Sequence, residues 1–412
     1  MKCRHCAAPL THTFLDLGFA PPSNAYLAAA DLSRPEKYYP LRIMVCDGCW
    51  LVQTEDYAGA DELFSADYAY FSSTSSGWLQ HAAEYATRMT RRLDLGSGSF
   101  VIEVASNDGY LLKNFVAAGI PCLGIEPTAS TAAAAESLGV PVLREFFGEA
   151  VGSRLAAQGR RADLIAGNNV YAHVPDINDF TRGLAAVLKP QGTITLEFPH
   201  VMRLIEQCQF DTVYHEHFSY LSLAAVQRIF AAAGLRVWDV EELPTHGGSL
   251  RVYGCHASDP RATAAAVERL LAEEDRHGLR TLAPYAAFQA RADRVKDDLL
   301  AFLIEQKRAG RKVAAYGAAA KGNTLLNYAG VKPDLLPYVC DAAAAKQGKF
   351  MPGSHVPILP PSALLEGRPD DVLILPWNIA AEVRQTLHAA GLRGVRYVTA
   401  VPDIRVHQDA AA

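Results

Sequence analysis

The chain has 412 residues, half of them hydrophobic, and a formal net charge of −5. This length suggests two or three domains with ample core. Lys and Arg are spread thinly, which argues against a nucleic-acid or anionic-membrane partner. No apolar stretch reaches the roughly 18 residues needed to span a bilayer, and the N-terminal residues lack a secretory hydrophobic region. We therefore expect a cytoplasmic protein.

Four of the eight cysteines form two Cys-x-x-Cys pairs, Cys3 with Cys6 and Cys46 with Cys49. Each turn places two thiolates on one side of a metal, and two turns complete a tetrahedron. A redox role is the alternative, but two pairs in a reducing compartment favour metal. We predict a structural Zn²⁺ in an N-terminal module, residues 1–66, because four thiolates leave no open position for water and so short a segment has a thin core.

A segment rich in hydroxyls and aromatic rings, Asp67–Ser76, precedes an amphipathic helix predicted around residues 77–93. The segment is either a plain linker or a lid that carries an aromatic side chain into a cleft, since loops on rigid scaffolds often line sites. Tyr68 is the candidate site residue, and Tyr70 is the competing choice.

The clearest pattern is a buried strand at 99–104, a tight turn at 105–109 and a helix at 110–115. This order is typical of the start of a doubly wound sheet. A second strand ends at Glu126, 23 residues after Glu103. An open α/β fold places an acid there to accept hydrogen bonds from ribose hydroxyls. The spacing therefore favours an adenosine ligand.

The turn Ala105-Ser106-Asn107-Asp108-Gly109 lacks the glycine-rich dinucleotide fingerprint. Its acidic surroundings argue against a pyrophosphate, because carboxylates repel the anion that a helix N-terminus attracts. S-adenosylmethionine fits better, since it has a sulfonium, an amine and a ribose but no phosphate. The alternative is an ordinary strand-helix-strand unit with incidental acids.

Two further strands, predicted at 162–167 and 192–200, also end in polar residues. Ligands of open α/β sheets bind outside the carboxyl ends of the strands, so His173 and Glu197 should face the same crevice. The predicted cofactor-binding residues are Glu103, Ser106, Asn107, Asp108, Gly109, Glu126, Asn168 and Asn169.

The run Tyr214-His215-Glu216-His217-Phe218-Ser219-Tyr220 gathers five groups that can carry or exchange protons. A histidine titrates near neutral pH, and a neighbouring carboxylate or tyrosine can orient it, so the run predicts acid–base chemistry. The alternative is that these polar side chains have no catalytic role and are hydrogen-bonded within a core or lie in a surface turn. A metal pair at His215 and His217 is disfavoured, because the HExxH spacing is absent; only on a strand would the two share a face. His215 keeps no assigned role.

Four ordered motifs carry a resemblance: the two Cys-x-x-Cys pairs, Val101–Leu112, Tyr214–Tyr220, and His246-Gly247-Gly248-Ser249-Leu250-Arg251. Together they resemble the sugar C-methyltransferase family, bacterial enzymes that methylate a carbon of nucleotide-linked keto-deoxysugars. The similarity runs through nearly the whole chain. It implies S-adenosylmethionine as methyl donor, and a base, because a sugar carbon is no nucleophile until the C–H beside a ketone loses its proton.

The resemblance also implies roles for individual residues. His217, the second histidine of the run, corresponds to the family's proposed base. Tyr214 would donate a hydrogen bond to the developing enolate, and Glu216 would orient an imidazole or hold the sugar. His173 and Tyr68 also resemble family site residues, although His173 could instead be a histidine that simply begins a helix.

The pattern becomes helical over residues 258–310, with helices predicted at 264–280 and 284–310, and a second α/β unit follows at 311–412. Small residues and Lys321 at the start of a helix suit an anion. We assign this unit to the nucleotide diphosphate of the substrate; the alternative is a remnant that only braces the fold. The predicted substrate-binding residues are Lys321, Asn323, Arg251 and His246.

The sequence thus predicts an α/β protein in which a central doubly wound, Rossmann-like methyltransferase domain, 67–257, lies between a small zinc-binding module and a small Rossmann-like C-terminal domain. The alternatives are an O- or N-methyltransferase, a nicotinamide-dependent enzyme and a non-enzymatic zinc adaptor. Thymidine diphosphate is the nucleotide we expect. The sugar, the carbon methylated and the oligomeric state, a monomer included, stay open.

Overall fold

Three β-sheets organise the residues that the computed structural model describes, 1–57 and 71–408. The predicted site residue Tyr68 and its competitor Tyr70 lie outside the described residues. In chain order the strands are β1 His12–Ala20, β2 Tyr39–Val45, β3 Val52–Thr54, β4 Val101–Val104, β5 Cys122–Ile125, β6 Val142–Leu143, β7 Ala162–Asn168, β8 Leu188–Pro199, β9 Ser219–Tyr220, β10 Leu235–Leu243, β11 Ser249–His256, β12 Val313–Tyr316, β13 Val339–Cys340, β14 Ile358–Leu359, β15 Asp371–Ile374, β16 Arg396–Thr399 and β17 Arg405–Gln408.

Helices connect these strands and cover the faces of the sheets. Those described are α1 Ser76–Arg92, α2 Leu112–Ala117, α3 Ala129–Ser137, α4 Glu149–Ala157, α5 Ile177–Val187, α6 Val201–Glu206, α7 Leu223–Ala232, α8 Ala265–Arg276, α9 Ala283–Ala286, α10 Phe288–Arg308, α11 Ala320–Tyr328, α12 Ser362–Gly367 and α13 Ala380–Ala389. The helix predicted at 77–93 is α1, and the connector helices predicted over 264–310 are α8, α9 and α10.

The central sheet has seven strands in the order β10-β11-β8-β7-β4-β5-β6. Strands β6, β5, β4, β7 and β8 run parallel, whereas β11 and β10 are antiparallel additions at one edge. All four residues of β4 are buried, as expected for a parallel strand covered on both faces. The chain order reverses between β4 and β7, and such a switch point opens a crevice at the carboxyl ends of the strands. The predicted doubly wound domain is confirmed.

The N-terminal sheet contains a strand that the sequence did not predict. Its order is β1-β2-β3-β9, all antiparallel, and β9 belongs to the proton-handling run rather than to the N-terminal segment. Val52 pairs with Tyr220, and Gln53 pairs with Ser219. The end of the predicted catalytic run is therefore hydrogen-bonded into the sheet of the cysteine-bearing module.

The C-terminal sheet has the order β14-β13-β12-β15-β16-β17, parallel except for the last pair. It forms the additional α/β domain that the sequence predicted. The connector helices that precede this domain in the chain pack against the N-terminal sheet. Phe14 of β1 stacks on Phe288 of α10 at 4.7 Å between ring centroids, and it contacts Tyr285 of α9 edge-on at 5.6 Å. The predicted domain limits at 66, 257 and 310 stay predictions.

Replacing Gly109 with alanine should destabilise the fold more than replacing Gly119. Both have left-handed backbones, with φ of 78° and 68°, so each alanine should cost about 1–2 kcal/mol. A Cβ at Gly109 would also lie 3.0 Å from the Cβ of Ala135, which should add about 1 kcal/mol or more of overpacking. A Cβ at Gly119 would have no described atom within 4 Å apart from its chain neighbours. Urea unfolding of both variants checks this, and equal losses would contradict it.

Candidate functional site

The turn after β4 is shaped by left-handed residues and tied to the end of β5. Ala105, Asn107 and Gly109 have positive φ angles. The carboxylate of Glu126, which follows β5, accepts the backbone N–H of Asn107 at 3.0 Å and that of Thr128 at 2.9 Å. Glu126 therefore fixes the two turns that border the crevice relative to each other.

Several buried polar atoms in the turn after β4 and at the end of β7 have no hydrogen-bond partner among the described residues. They are Ser106 Oγ, Asp108 Oδ1 and both amide atoms of Asn168. Buried polar groups are normally paired, so a set of unpaired ones at the carboxyl ends of parallel strands indicates a place for a polar ligand. Donors and acceptors of this kind suit the ammonium and ribose groups of S-adenosylmethionine.

Glu103 at the edge of this group is almost completely buried. Burial raises its pKa well above the usual carboxyl range, the Tyr110 hydroxyl opposes this, and the carboxylates of Glu126 and Asp108 raise it further. A ligand cation placed here would relieve the repulsion between the three acids. The acidic turn thus fits a cationic ligand and disfavours a pyrophosphate.

The chain preceding α1 covers the turn after β4. The backbone N–H of Ser72 donates to Asn107 Oδ1 and that of Ser73 to Asp108 Oδ2, both at 3.0 Å. In α1, the ring of Trp78 stacks against Tyr110 at 6.0 Å. The sequence identified this hydroxyl-rich segment as a linker or a lid, and its described end lies against the predicted cofactor turn.

His217 is held by the backbone in one tautomer. Its Nδ1 lies 2.9 Å from the carbonyl oxygen of Thr212, and because a carbonyl only accepts, Nδ1 carries the proton and Nε2 keeps a lone pair. Its ring lies 4.0 Å from that of Tyr214 and 4.6 Å from that of His173. Burial lowers the pKa of His217 well below its usual value, the hydrogen bond to Thr212 opposes this, and the positive charge of Lys321 lowers the pKa further. The imidazole is neutral at neutral pH.

His173 is oriented by the same run. Its Nδ1 donates to the backbone carbonyl of Glu216 at 2.8 Å. Burial lowers the pKa of His173 to about 4, so this ring too is neutral. The structure brings together three residues that the sequence singled out, His173, Glu216 and His217.

His215 points away from His217. Its Nε2 lies 3.3 Å from the carbonyl oxygen of Pro40 and its ring 5.9 Å from that of Tyr39, both in the N-terminal sheet. The two histidines therefore do not form a metal pair. Within residues 1–57 and 71–408, one group of three or more His, Cys, Asp or Glu side chains lies close enough together to hold a metal. It consists of the four predicted cysteines.

A buried charge network that the sequence did not predict lies beside the crevice. Glu197 at the end of β8 accepts from Arg251 at 2.8 Å and lies 3.0 Å from His81 Nε2. Burial would raise the pKa of Glu197, but the hydrogen bond of His81 and the charge of Arg251 lower it overall. Arg251 is fully buried with its guanidinium over the ring of Tyr85, so it reaches the crevice through Glu197.

His246, predicted with Arg251, lies closer to the crevice. Its Nε2 is 3.2 Å from the side-chain nitrogen of Asn169 at the end of β7, and its ring is 5.6 Å from that of Trp78. Burial lowers the pKa of His246 to about 4, and the charge of Lys321 adds to this shift. The motif His246–Arg251 is thereby in contact with Asn169, one of the predicted cofactor-binding residues.

Lys321 in the first turn of α11 lies between domains. Its Nζ donates to Asn378 Oδ1 at 2.7 Å and lies 4.8 Å from the centre of the Trp377 ring. The Trp377 indole donates to Asp211 Oδ2 at 2.8 Å. Burial lowers the pKa of Lys321, and the charge of Asp211 opposes that shift. Lys321 is thus close to the segment that leads into His217.

Asn323, two residues along α11, is buried, and neither of its amide atoms has a hydrogen-bond partner within residues 1–57 and 71–408. The next residue, Thr324, donates its hydroxyl to the carbonyl oxygen of Val213 at 2.8 Å. The start of α11 therefore combines a buried polar amide with a hydrogen bond to the residue that precedes the run containing His217.

The four predicted cysteines converge on one point. Their sulfur atoms all lie within 4.8 Å of one another, with Cys3–Cys49 and Cys6–Cys46 at 3.5 Å. Zn–S bonds of about 2.3 Å in a tetrahedron give S–S separations of about 3.8 Å, so the cluster fits such an ion. The Cys49 contact lowers the pKa of Cys3, and the same contact raises that of Cys49.

Known protein families match most of the chain. Three family models match: a proposed zinc binding domain at 3–64, a methyltransferase domain at 78–240, and a C-methyltransferase C-terminal domain at 244–402. These matches and the fold define the class as S-adenosylmethionine-dependent methyltransferases. C-methyltransferase NovU from Streptomyces niveus is 33% identical over 405 residues, which cover 98% of this chain and 96% of that protein. The chain belongs to the C-methyltransferase family and is a S-adenosylmethionine-dependent C-methyltransferase.

Family membership decides among the alternatives that the sequence left open. The O- or N-methyltransferase, the nicotinamide-dependent enzyme and the zinc adaptor are set aside. In the part of the chain that the structure describes, no helix has both the length and the apolar character to cross a membrane.

Solved structures resemble part of the chain. Magnesium protoporphyrin IX methyltransferase from Synechocystis PCC 6803, with bound SAM, is 14% identical, with a TM-score of 0.34, over 44% of this chain and 80% of that one. The CcbJ methyltransferase from Streptomyces caelestis is 12% identical, with a TM-score of 0.34, over 42% and 89%.

We expect Cys46→Ser to remove bound zinc and to lower the thermal unfolding midpoint, because metal binding to such a site contributes folding free energy. Cys255→Ser, which changes a buried cysteine outside the cluster, is the matched control and should keep one zinc per chain. Zinc content by elemental analysis and the unfolding midpoint check this. A metal-free Cys46→Ser variant with unchanged stability would contradict a structural metal.

Proposed function

We propose that this enzyme methylates the carbon beside the ketone of a nucleotide-linked keto-deoxysugar, with thymidine diphosphate as the expected nucleotide. The observation that carries the proposal is the tautomer of His217. Its Nδ1 proton is engaged by the Thr212 carbonyl, which leaves Nε2 as a base in a dry, aromatic environment. A neutral, oriented imidazole is what proton removal from carbon requires.

The residues around His217 have complementary roles in this proposal. His217 Nε2 removes the proton from carbon. The Tyr214 hydroxyl donates to the ketone oxygen as it becomes an enolate, and the Glu216 carboxylate holds a sugar hydroxyl. His173, whose proton is on Nδ1, presents Nε2 as an acceptor. Tyr68, outside the described residues, stays a predicted catalytic residue.

The methyl donor would be held by the turns after β4, β5 and β7. S-adenosylmethionine, when bound, supplies the electrophilic methyl group. Glu103 and Asp108 would attract its positive charge and Glu126 would bind its ribose, while Asn168 and Ser106 would pair with its polar groups. The remaining predicted contacts are Asn107, Gly109 and Asn169.

The C-terminal domain would bind the nucleotide diphosphate at the start of α11. The ammonium of Lys321 donates to a neutral amide, so its charge can still favour an anion. The unpaired amide of Asn323 would supply a further contact. We assign His246 to the sugar side of the crevice, and we assign Arg251 a positioning role through Glu197 because its guanidinium is enclosed.

Zn²⁺ is the metal we propose for the cysteine cluster, with a structural role. Four sulfur ligands fill a tetrahedron and leave no position for a reacting water. The cytoplasmic location and the absence of nucleic-acid partners stay predictions of the composition.

His217→Asn should abolish methyl transfer and the exchange of the substrate α-hydrogen with deuterated solvent, because a general base contributes on the order of 10² to 10⁴ in rate. S-adenosylmethionine affinity should stay within a few-fold, because the base acts on the sugar. Assays use a panel of thymidine-diphospho 4-keto-deoxysugars with labelled S-adenosylmethionine, read by mass spectrometry.

His215→Asn is the matched control, since His215 neighbours the base but faces Pro40. It should retain turnover and hydrogen exchange. If the His217→Asn variant turned over at nearly the wild-type rate, His217 would not be the base. Methyl transfer to an analogue without a ketone would overturn the enolate mechanism.

The acid limb of kcat/KM should lie well below pH 6.5. The active form of His217 is neutral and its folded-state pKa is lowered, so activity should be kept as the pH falls past 6.5 and lost only at lower pH. Initial rates between about pH 5 and 8 check this, with circular dichroism to show that the fold is intact. An acid limb centred at the ordinary histidine pKa would contradict a desolvated base.

A further inference from the structure

Asn24 is a residue of the N-terminal module that contacts the predicted site. It lies between β1 and β2, and its side-chain nitrogen is 2.9 Å and 2.8 Å from the two carboxylate oxygens of Glu216. A carboxylate accepts but does not donate when ionised, so the amide nitrogen, not the amide oxygen, must face it. Neither the motif nor the spacing of the sequence pointed to this contact.

The segment that bears Asn24 is fastened to the C-terminal domain. Leu27 and Phe350 exchange both backbone hydrogen bonds, at 3.0 Å and 2.9 Å. The Tyr26 hydroxyl donates to the carbonyl oxygen of Ala318 at 2.6 Å. Asn24 therefore lies in a segment that is hydrogen-bonded to the C-terminal domain two and three residues further along. Its side chain contacts Glu216 from a backbone that these hydrogen bonds hold in place.

Glu216 is held separately at its two ends. Its backbone carbonyl accepts from His173, which fixes the main chain, and its carboxylate contacts Asn24. The same amide nitrogen lies within hydrogen-bond distance of both carboxylate oxygens, so one donor fixes the direction of the group. The Asn24 amide is thus a described contact that sets the direction of the Glu216 side chain.

We propose that Asn24 is a positioning residue for the methyl-transfer reaction, which fixes the ionised Glu216 carboxylate in the orientation that holds the sugar. The inference rests on the proposed role of Glu216. It makes the N-terminal module a contributor to the site as well as a brace. The described contact of its side chain is with Glu216, so its effect on the reaction is indirect.

Two substitutions of Asn24 separate this role from simple packing. Asn24→Ala removes the donor and should lower kcat about tenfold, in line with a hydrogen bond to a charged group. Asn24→Asp keeps the size but sets one carboxylate against another, and at about pH 8 it should lower kcat more, about a hundredfold. If Asn24 served only to fill space, aspartate would be the milder change. That order of the two variants would overturn the proposal.

The matched control is Asn178→Ala. Asn178 also joins the N-terminal module to the central domain, through the carbonyl oxygens of Arg4 and His5, but it does not contact Glu216. It should lower the unfolding midpoint with little change in kcat. For Asn24→Ala we expect the opposite, a lower kcat with an unchanged unfolding midpoint. The KM for the nucleotide sugar should stay within about threefold of wild type, and S-adenosylmethionine affinity should be unchanged.

A double-mutant cycle with Glu216→Gln completes the test. If Asn24 acts through Glu216, adding Asn24→Ala to Glu216→Gln should cause no further loss in single-turnover rate, and full additivity would overturn the proposal. Glu216→Gln alone at wild-type rate would instead refute the proposed role of Glu216. A slow Glu216→Gln with a wild-type Asn24→Ala would refute the Asn24 proposal and leave the proposed function intact.

Discussion

Backbone pairing between β3 and β9 is the constraint on which the rest of the site depends. Gln53 and Val52 pair with the last two residues of the run that contains His217, and the Thr54 hydroxyl donates to the carbonyl oxygen of His217 itself. At the other end of the run, Thr324 of the C-terminal domain holds the Val213 carbonyl. A short segment with little regular structure is thus fixed at both ends by its neighbours, and a site built on loops needs such support.

The environment of His217 involves a chemical compromise. Desolvation keeps the imidazole neutral, which makes it available as a base, but a lowered pKa also makes it a weaker one. In the proposed reaction the remaining driving force must come from stabilising the enolate. Tyr214 lies against the His217 ring, and the positive charge of Lys321 is near enough to lower the pKa of His217. Both could favour developing negative charge.

The sequence predicted what depends on local spacing. Strand periodicity and strand-end acids located the central sheet, and two Cys-x-x-Cys pairs located the cysteine cluster. It could not predict β9, because a two-residue strand has no periodicity and its partner lies over 160 residues away in the chain. Nor could it predict that Arg251 is enclosed or that Asn24 reaches Glu216, because such pairings arise from how separate sheets pack.

The pairing of β3 with β9 also connects the cysteine cluster to the run that contains His217. The Gln53 side chain donates to Cys3 Sγ at 3.2 Å and accepts from the Arg4 backbone at 2.9 Å, while the Gln53 backbone pairs with Ser219. A single buried residue therefore contacts a sulfur of the cysteine cluster and pairs with the strand that ends the run containing His217. The Zn²⁺ proposed for the cluster would stabilise the folded module, and because β3 and β9 share one sheet, that stabilisation would extend to the backbone that orients His217. The proposed metal would take part in no chemical step and would affect the proposed reaction only through the position of this backbone.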